Sequence, residues 1–316
     1  MEITHTSVLL NECLEYLSPE NENYGSSPLL IDSTLGEGGH SEAFLTRYPQ
    51  LKVTGIDADP VIQERAKMRL APFGERMSFY SGWFDDFYAN YPEEKEKPNL
   101  ILFDLGISLF HYEKSGRGFS FRYDEPLDMR LSPNAETSAA DLIKTLNEND
   151  LADMIYAYGE ERYSRRIARA IVEARRVSAI ENAKELADII YRAVPAQYRH
   201  GNIHPATKTF QALRIAVNHE LDRLPRVLDS AFKVLKVGGK LGVITFHSLE
   251  DRIVKVYFRN LAKECICPPE QAQCTCGGKR RAELLTRKAV DPTPEEIAKN
   301  SPSRSAKLRV IRKERD

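Results

Sequence analysis

Strand-sized apolar runs alternate with helix-spaced segments through the first hundred residues, and no other feature constrains the fold of this chain as strongly. "LLIDST" (29–34), "KVTGID" (52–57), "RMSFYSG" (76–82) and "NLILFDLG" (99–106) are short apolar runs. "HSEAFLTRY" (40–48) and "PVIQERAKMRL" (60–70) carry apolar residues at helical spacing. Strands alternating with helices predict a mostly parallel sheet with helices on both faces. The rhythm stops after Leu105. Between Phe110 and Pro205 the segments "AADLIKTLNENDLADMIYAYG", "RYSRRIARAIVEARR" and "AKELADIIYRAV" read as helices. Then "TFQALRIAVNHELDRLPRVLDSAFKVL" reads as helical, Gly238-Gly239 turns into the strand "KLGVITF", and "SLEDRIVKVYFRNLA" follows with Ser248 as N-cap. The expected layout is an α/β domain in two parts, 1–109 and 206–316, interrupted by an all-helical insertion over 110–205. Cys265 to Ser305, rich in Pro, Gly and charge, reads as a long loop.

Of 316 residues, 42% are hydrophobic and 29% charged, enough for a sizeable core in an ordinary globular chain. No apolar stretch approaches the ~18 residues of a membrane span, and "MEITHTSVLL" lacks the pattern of a signal peptide, so a cytoplasmic protein is expected. Residues 1–110 hold 8 Lys and Arg against 18 Asp and Glu, whereas 221–316 hold 21 against 12. That asymmetry suits a polyanionic partner for the later half, or a solvated lysine-rich surface. Five cysteines, four of them late, do not form a secreted disulfide framework. Cys265, Cys267, Cys274 and Cys276 form C-x-C-x₆-C-x-C, tighter than the usual C-x₂₋₄-C of structural zinc, and an exposed basic loop is the competing account.

In "IDSTLGEGGHS" (31–41) an apolar run ends in an acid and three glycines follow within four positions. Glycines let backbone approach a ligand closely, and Asp57 closes the next strand 21 residues after Gly36. That is about the ~20-residue spacing at which a carboxylate meets ribose hydroxyls. The dinucleotide fingerprint G-x-G-x-x-G needs glycine at 41, where this chain has Ser41, which weakens a nicotinamide reading. An adenosyl ligand without a pyrophosphate needs less of the helix N-terminus. The arrangement resembles the S-adenosyl-L-methionine turn of class I methyltransferases.

Ten segments, in order from residue 5 to about 310, resemble one family: "HTSVLLNE", "GEGGHS", "GIDADP", "FDLGIS", "GRGFSFR", "PLDMR", "YGEERYSRRIARAIVEAR", "HPATKTFQALRI", "FHSLEDRIVK" and "SPSRSAKLRV". It is the bacterial 16S rRNA cytosine-N4 methyltransferase (MraW) family. The resemblance implies a class I, Rossmann-like, S-adenosyl-L-methionine-dependent methyltransferase with a helical substrate-recognition insertion. It further implies methylation of a cytidine in the decoding region of 16S rRNA, with the small ribosomal subunit as partner, no membrane, and room for a homodimer. Carried over by position, Gly38, Gly39 and His40 line the cofactor site, Asp57 holds the ribose, Phe84 lies beside the adenine and Asp104 completes the pocket. The family has a glutamine where this chain has His111, which offers one hydrogen bond rather than an amide's paired set.

Methylating an exocyclic amine calls for acceptors for its hydrogens and in-line positioning. The acid-or-amide, proline, proline, aromatic motif of DNA amino-methyltransferases is missing, since Asp104-Leu105-Gly106-Ile107 stands there. Asp104, Ser108 and His247 are the catalytic candidates; for His247 a structural hydrogen bond is the competing account, and Ser248 follows it. On the RNA side, Arg162, Arg165, Arg166, Arg169 and Arg176 fall on one broad helix face, either as phosphate ligands or as a face laced with Glu160, Glu161 and Glu173. Phe119, Phe121 and Tyr123 alternate with Arg117 and Arg122, as base-stacking aromatics or as a half-buried extended segment.

Overall fold

The computed structural model describes residues 7–20, 24–201, 203–265, 267, 270–273, 275 and 278–316. The elements in chain order are α1 (Leu10–Tyr16), β1 (Leu29–Asp32), α2 (Gly39–Arg47), β2 (Lys52–Asp57), α3 (Pro60–Leu70), β3 (Met77–Ser81), α4 (Phe84–Ala89) and β4 (Leu100–Asp104). Helices α5 (Leu109–Glu113), α6 (Ala139–Thr145), α7 (Glu148–Gly159), α8 (Ser164–Val177), α9 (Ala183–Ala193), α10 (Ala196–Arg199), α11 (Ala206–Asn218) and α12 (Glu220–Val234) follow. The chain closes with β5 (Lys240–Thr245), α13 (Ser248–Leu261), β6 (Ala282–Leu284), α14 (Pro294–Lys299) and β7 (Lys307–Lys313).

Two compact units result, one of Met1–Gly106 with Asp222–Asp316 and one of Ile107–Leu221. The first holds a seven-stranded sheet in the order β3-β2-β1-β4-β5-β7-β6, with β7 antiparallel to both its neighbours and the other adjacent pairs parallel. It is a Rossmann-like sheet. Period-two alternation divides its side chains between two cores: Leu100 and Leu102 of β4 join one, Ile101 and Phe103 the other. Helix α3 begins as its sequence announces, with Pro60 in its first turn and Asp59 accepting from the Val61 amide.

The second unit is helical, built on Ile155 of α7, Ile167 and Ile171 of α8, Leu186 and Ile190 of α9, and Phe210, Leu213 and Val217 of α11. Its end corrects the expected boundary at 205, because α11 turns an apolar face onto α7. The long helical run at 209–235 is two helices, broken at His219, which takes a left-handed φ of 52°. Ser248 is the first residue of α13 rather than its cap; His247 is the cap. The late loop holds strand β6 and helix α14. Cys274 and Cys276 lie outside the described residues, and the four-cysteine zinc reading with them. Among the described residues no helix is long and apolar enough to cross a membrane.

Candidate active site

Three parallel strands end in an aspartate: Asp32 on β1, Asp57 on β2 and Asp104 on β4. Strand order reverses at β1, between β2 and β4, and open α/β sheets bind ligands at the carboxyl ends of the strands at such a point.

The glycine turn follows β1. Gly36 and Gly38 take left-handed backbone, with φ of 54° and 80°. A β-carbon on Gly38 would lie 2.8 Å from Leu70 Cδ1, and one on Gly39 only 2.2 Å from Ser7 Oγ. The Gly36 amide donates to Asp57 Oδ2 at 2.8 Å and the Asp59 amide to Asp57 Oδ1 at 2.8 Å, so the turn and the second strand's acid fix each other. Ser41, standing where a dinucleotide fold has glycine, is buried and donates to Asp32 Oδ2 at 2.7 Å. Burial pushes the Asp32 carboxyl up to about 6, against the Ser41 and Thr34 hydrogen bonds.

His40 and Asp104 face one another. His40 Nε2 lies 3.0 Å from the Val8 carbonyl oxygen, which only accepts, so Nε2 carries the hydrogen and Nδ1 the lone pair. Burial lowers the ring to about 4, against the Val8 bond, so it is neutral at pH 7. Nδ1 stands 3.6 Å from Asp104 Oδ2. The Asp104 carboxyl is pushed up to about 8, first by burial and then by the charges of Asp32 and Glu250, with the Gly106 amide opposing. Its backbone amide donates to Thr34 Oγ1 at 2.6 Å. Asp104 Oδ1 is buried with no hydrogen-bond partner among the described residues. Two acceptors thus sit side by side with a third oxygen unsatisfied, an arrangement suited to a group that brings hydrogens.

Phe84 opens α4 after Trp83 and meets Phe103, the neighbour of Asp104, edge-on at 5.7 Å. Gly38, Gly39, His40, Asp57, Phe84 and Asp104 therefore all follow or end strands β1 to β4 of one unit. His247 belongs to that unit as the cap of α13: Nδ1 accepts from the Glu250 amide at 3.5 Å and Nε2 lies 3.1 Å from Glu250 Oε1. The cap accounts for Nδ1; Nε2 is buried beside the Glu250 carboxylate with no hydrogen-bond partner among the described residues.

Ser108 and His111 lie in the helical unit. The Ser108 hydroxyl caps α5 by accepting from Phe110 N at 3.2 Å, and the buried His111 ring packs on Phe119 at 5.4 Å. Phe119 is itself in the core, 4% exposed, which removes it as a base-stacking surface. Phe121 is partly buried and stacked on His204 at 4.6 Å. Arg162 precedes α8 instead of riding on it, and its guanidinium covers Tyr163 and Tyr198 at 4.8 and 5.0 Å. Arg165 and Arg169 pair with Asp153 and Glu148, while Arg166 has no acidic partner among the described residues. These three line an open groove of about 540 Å³ with Ala170, Glu173 and Ala193.

Sequence reasoning missed Thr34, Ser41 and Val8. A serine in a glycine position was the available signal for Ser41; a backbone acceptor such as Val8 leaves none.

The family model described as the MraW methylase family matches residues 2–314. A Treponema denticola protein named ribosomal RNA small subunit methyltransferase H is 66% identical, covering 99% of this chain and 98% of its own length. Proteins of the same name from Treponema pallidum and Syntrophobacter fumaroxidans are 45% and 44% identical, covering 98% and 99% of this chain and 93% and 97% of their own. With the three strand-end aspartates on a Rossmann-like sheet, these matches establish that the chain belongs to the MraW methylase family and is a methyltransferase.

Proposed function

We propose that this methyltransferase moves a methyl group from S-adenosyl-L-methionine to N4 of a cytidine in the decoding region of 16S rRNA, in the cytoplasm, on the small ribosomal subunit. The relatives are named for the small-subunit RNA, and the motif resemblance supplies the base and the amine. One observation carries the reading: the facing acceptors Asp104 Oδ2 and His40 Nδ1, 3.6 Å apart beside the glycine turn.

The residues fit an adenosyl donor. The turn is bare of side chains at Gly36, Gly38 and Gly39, Asp57 is held by two amides, and Asp104 Oδ1 lacks a hydrogen-bond partner among the described residues. When bound, that donor supplies an electrophilic methyl group on a cationic sulfur. Gly38, Gly39 and His40 would line it, Asp57 would take its ribose hydroxyls, Phe84 would lie beside the adenine and Asp104 would close the pocket. His111 is included on its motif position alone.

The amine's lone pair is delocalised into the cytosine ring, and hydrogen-bond acceptors for its two hydrogens favour the reshaped nitrogen. Asp104 and the neutral His40 provide two. The proton released from N4 passes to Asp104 in its ionised form, and the elevated pKa makes that carboxylate a stronger base than an ordinary one. We assign the arginines of α8 to the RNA phosphates.

The test is labelled donor with small subunits from cells lacking the activity, followed by nucleoside analysis. N4-methylcytidine is expected with the natural protein. Asp104→Asn should lower turnover at least ~100-fold, as for loss of a proton acceptor. Near-normal turnover of Asp104→Ala would remove Asp104 from the chemistry. Label on a ring carbon or a ribose would overturn the amine as the target.

A further inference from the structure

Arg223, on α12, belongs to none of the motifs above, yet its guanidinium is held on two sides. Nη1 lies 2.7 Å from both carboxylate oxygens of Asp85. The guanidinium carbon lies 4.2 Å from the centre of the Trp83 ring. Both charged side chains are largely buried, 20% and 17% exposed.

What they clamp is the corner between β3 and α4. Trp83 meets Phe84 edge-on at 6.2 Å, and Phe84 meets Phe103 edge-on at 5.7 Å. At its other end the corner is tied to β2, where the Gly82 amide donates to the Asp57 carbonyl at 2.9 Å. Helix α4 has only six residues and no side-chain cap, so its own hydrogen bonds give the corner little rigidity. An outside clamp is what fixes the angle of Phe84. A guanidinium suits the task because it stacks flat on an indole while pairing with a carboxylate.

We infer that Arg223 is a positioning residue for donor binding: it locks Trp83 and Asp85 so that Phe84 presents its ring to the adenine. This rests on the reading of Phe84 as the adenine neighbour. Trp83 is the only tryptophan of the chain, so its emission reports the corner directly.

The experiment titrates the full-length protein calorimetrically with S-adenosylhomocysteine, the demethylated donor, and records Trp83 emission with and without it. Arg223→Ala should weaken binding about tenfold and shift the emission to the red, as a stacked cation and its ion pair are lost together. KM for the donor should rise by a larger factor than kcat falls. Arg223→Lys should recover part of the affinity. Asp85→Asn should reproduce the loss from the other side, and the double variant should be little worse than Arg223→Ala. If Arg223→Ala and Asp85→Asn both bind within twofold of the natural protein, the clamp is structural only and the inference fails. Should the natural protein itself not bind S-adenosylhomocysteine, the donor reading falls and this inference with it.

Discussion

Asp104 and Asp32 both carry carboxyl groups raised by burial, to about 8 and about 6 from an ordinary 3.8. The folded protein therefore binds protons that the unfolded chain has already released. Their contribution to stability is complete below the unfolded value and is lost as pH rises through the folded one. His40 runs the other way: lowered to about 4, it contributes above the ordinary histidine value and loses that as pH falls. Between pH 7 and 9 Asp104 dominates among these three, so the melting temperature should fall across that window. Asp104→Asn keeps the shape without the ionisation, and should flatten the fall and raise the midpoint at pH 9 by about 3 °C. Parallel melting curves for the two proteins would show that Asp104 does not titrate there. Turnover should move oppositely, rising towards pH 8 as the acceptor deprotonates.

Lys313 closes β7 fully buried, and its ammonium donates to the carbonyls of Phe232 at 2.9 Å, Lys233 at 3.2 Å and Leu235 at 2.8 Å. These are the orphan acceptors at the end of α12, and a cation there also meets the negative end of the helix dipole. Lys313→Met would strand them, at a loss of about 2–3 kcal/mol in denaturant unfolding; a loss under ~0.5 kcal/mol would mean that water serves them as well. Nothing in "KLRVIRK" announced this; the strand itself shows only a brief alternation, Lys307 to Val310, broken by the adjacent Val310 and Ile311 and the closing Arg312-Lys313. β1, β2, β4 and β5 were legible as apolar runs, being paired on both sides and covered on both faces. β6 has three residues and no period to read. The left-handed turn at His219 was hidden because its residue is not glycine, and it merged α11 with α12 in the sequence pattern. Motif order located the candidate site; the contacts that tune it, Val8 to His40 and Thr34 to Asp104, join residues 32 and 70 positions apart.

The charge asymmetry along the chain is not a division between the two units. The acidic first part and the basic last part share one unit, and they pair within it: Asp85 with Arg223 at 2.7 Å, Glu96 with Lys236 at 4.0 Å. The basic last third thus loses part of its claim on an RNA partner, and the arginine groove of α8 gains it. There the three arginines are not equivalent. Arg165 and Arg169 already face Asp153 and Glu148 through exposed, exchangeable pairs, whereas Arg166, on the proposed RNA reading, would meet a phosphate without first giving up a carboxylate. Exposed pairs are worth little, so the difference should appear in salt dependence more than in affinity at one salt concentration. Small-subunit binding, measured by filter retention from 50 to 300 mM salt, should weaken linearly on a log–log plot. Arg166→Ala should reduce the slope by about 0.7–0.9, the value of one phosphate contact. Arg165→Ala should reduce it less, because Asp153 already neutralises part of the Arg165 charge. Equal slopes for all three proteins would move the RNA-binding surface away from α8.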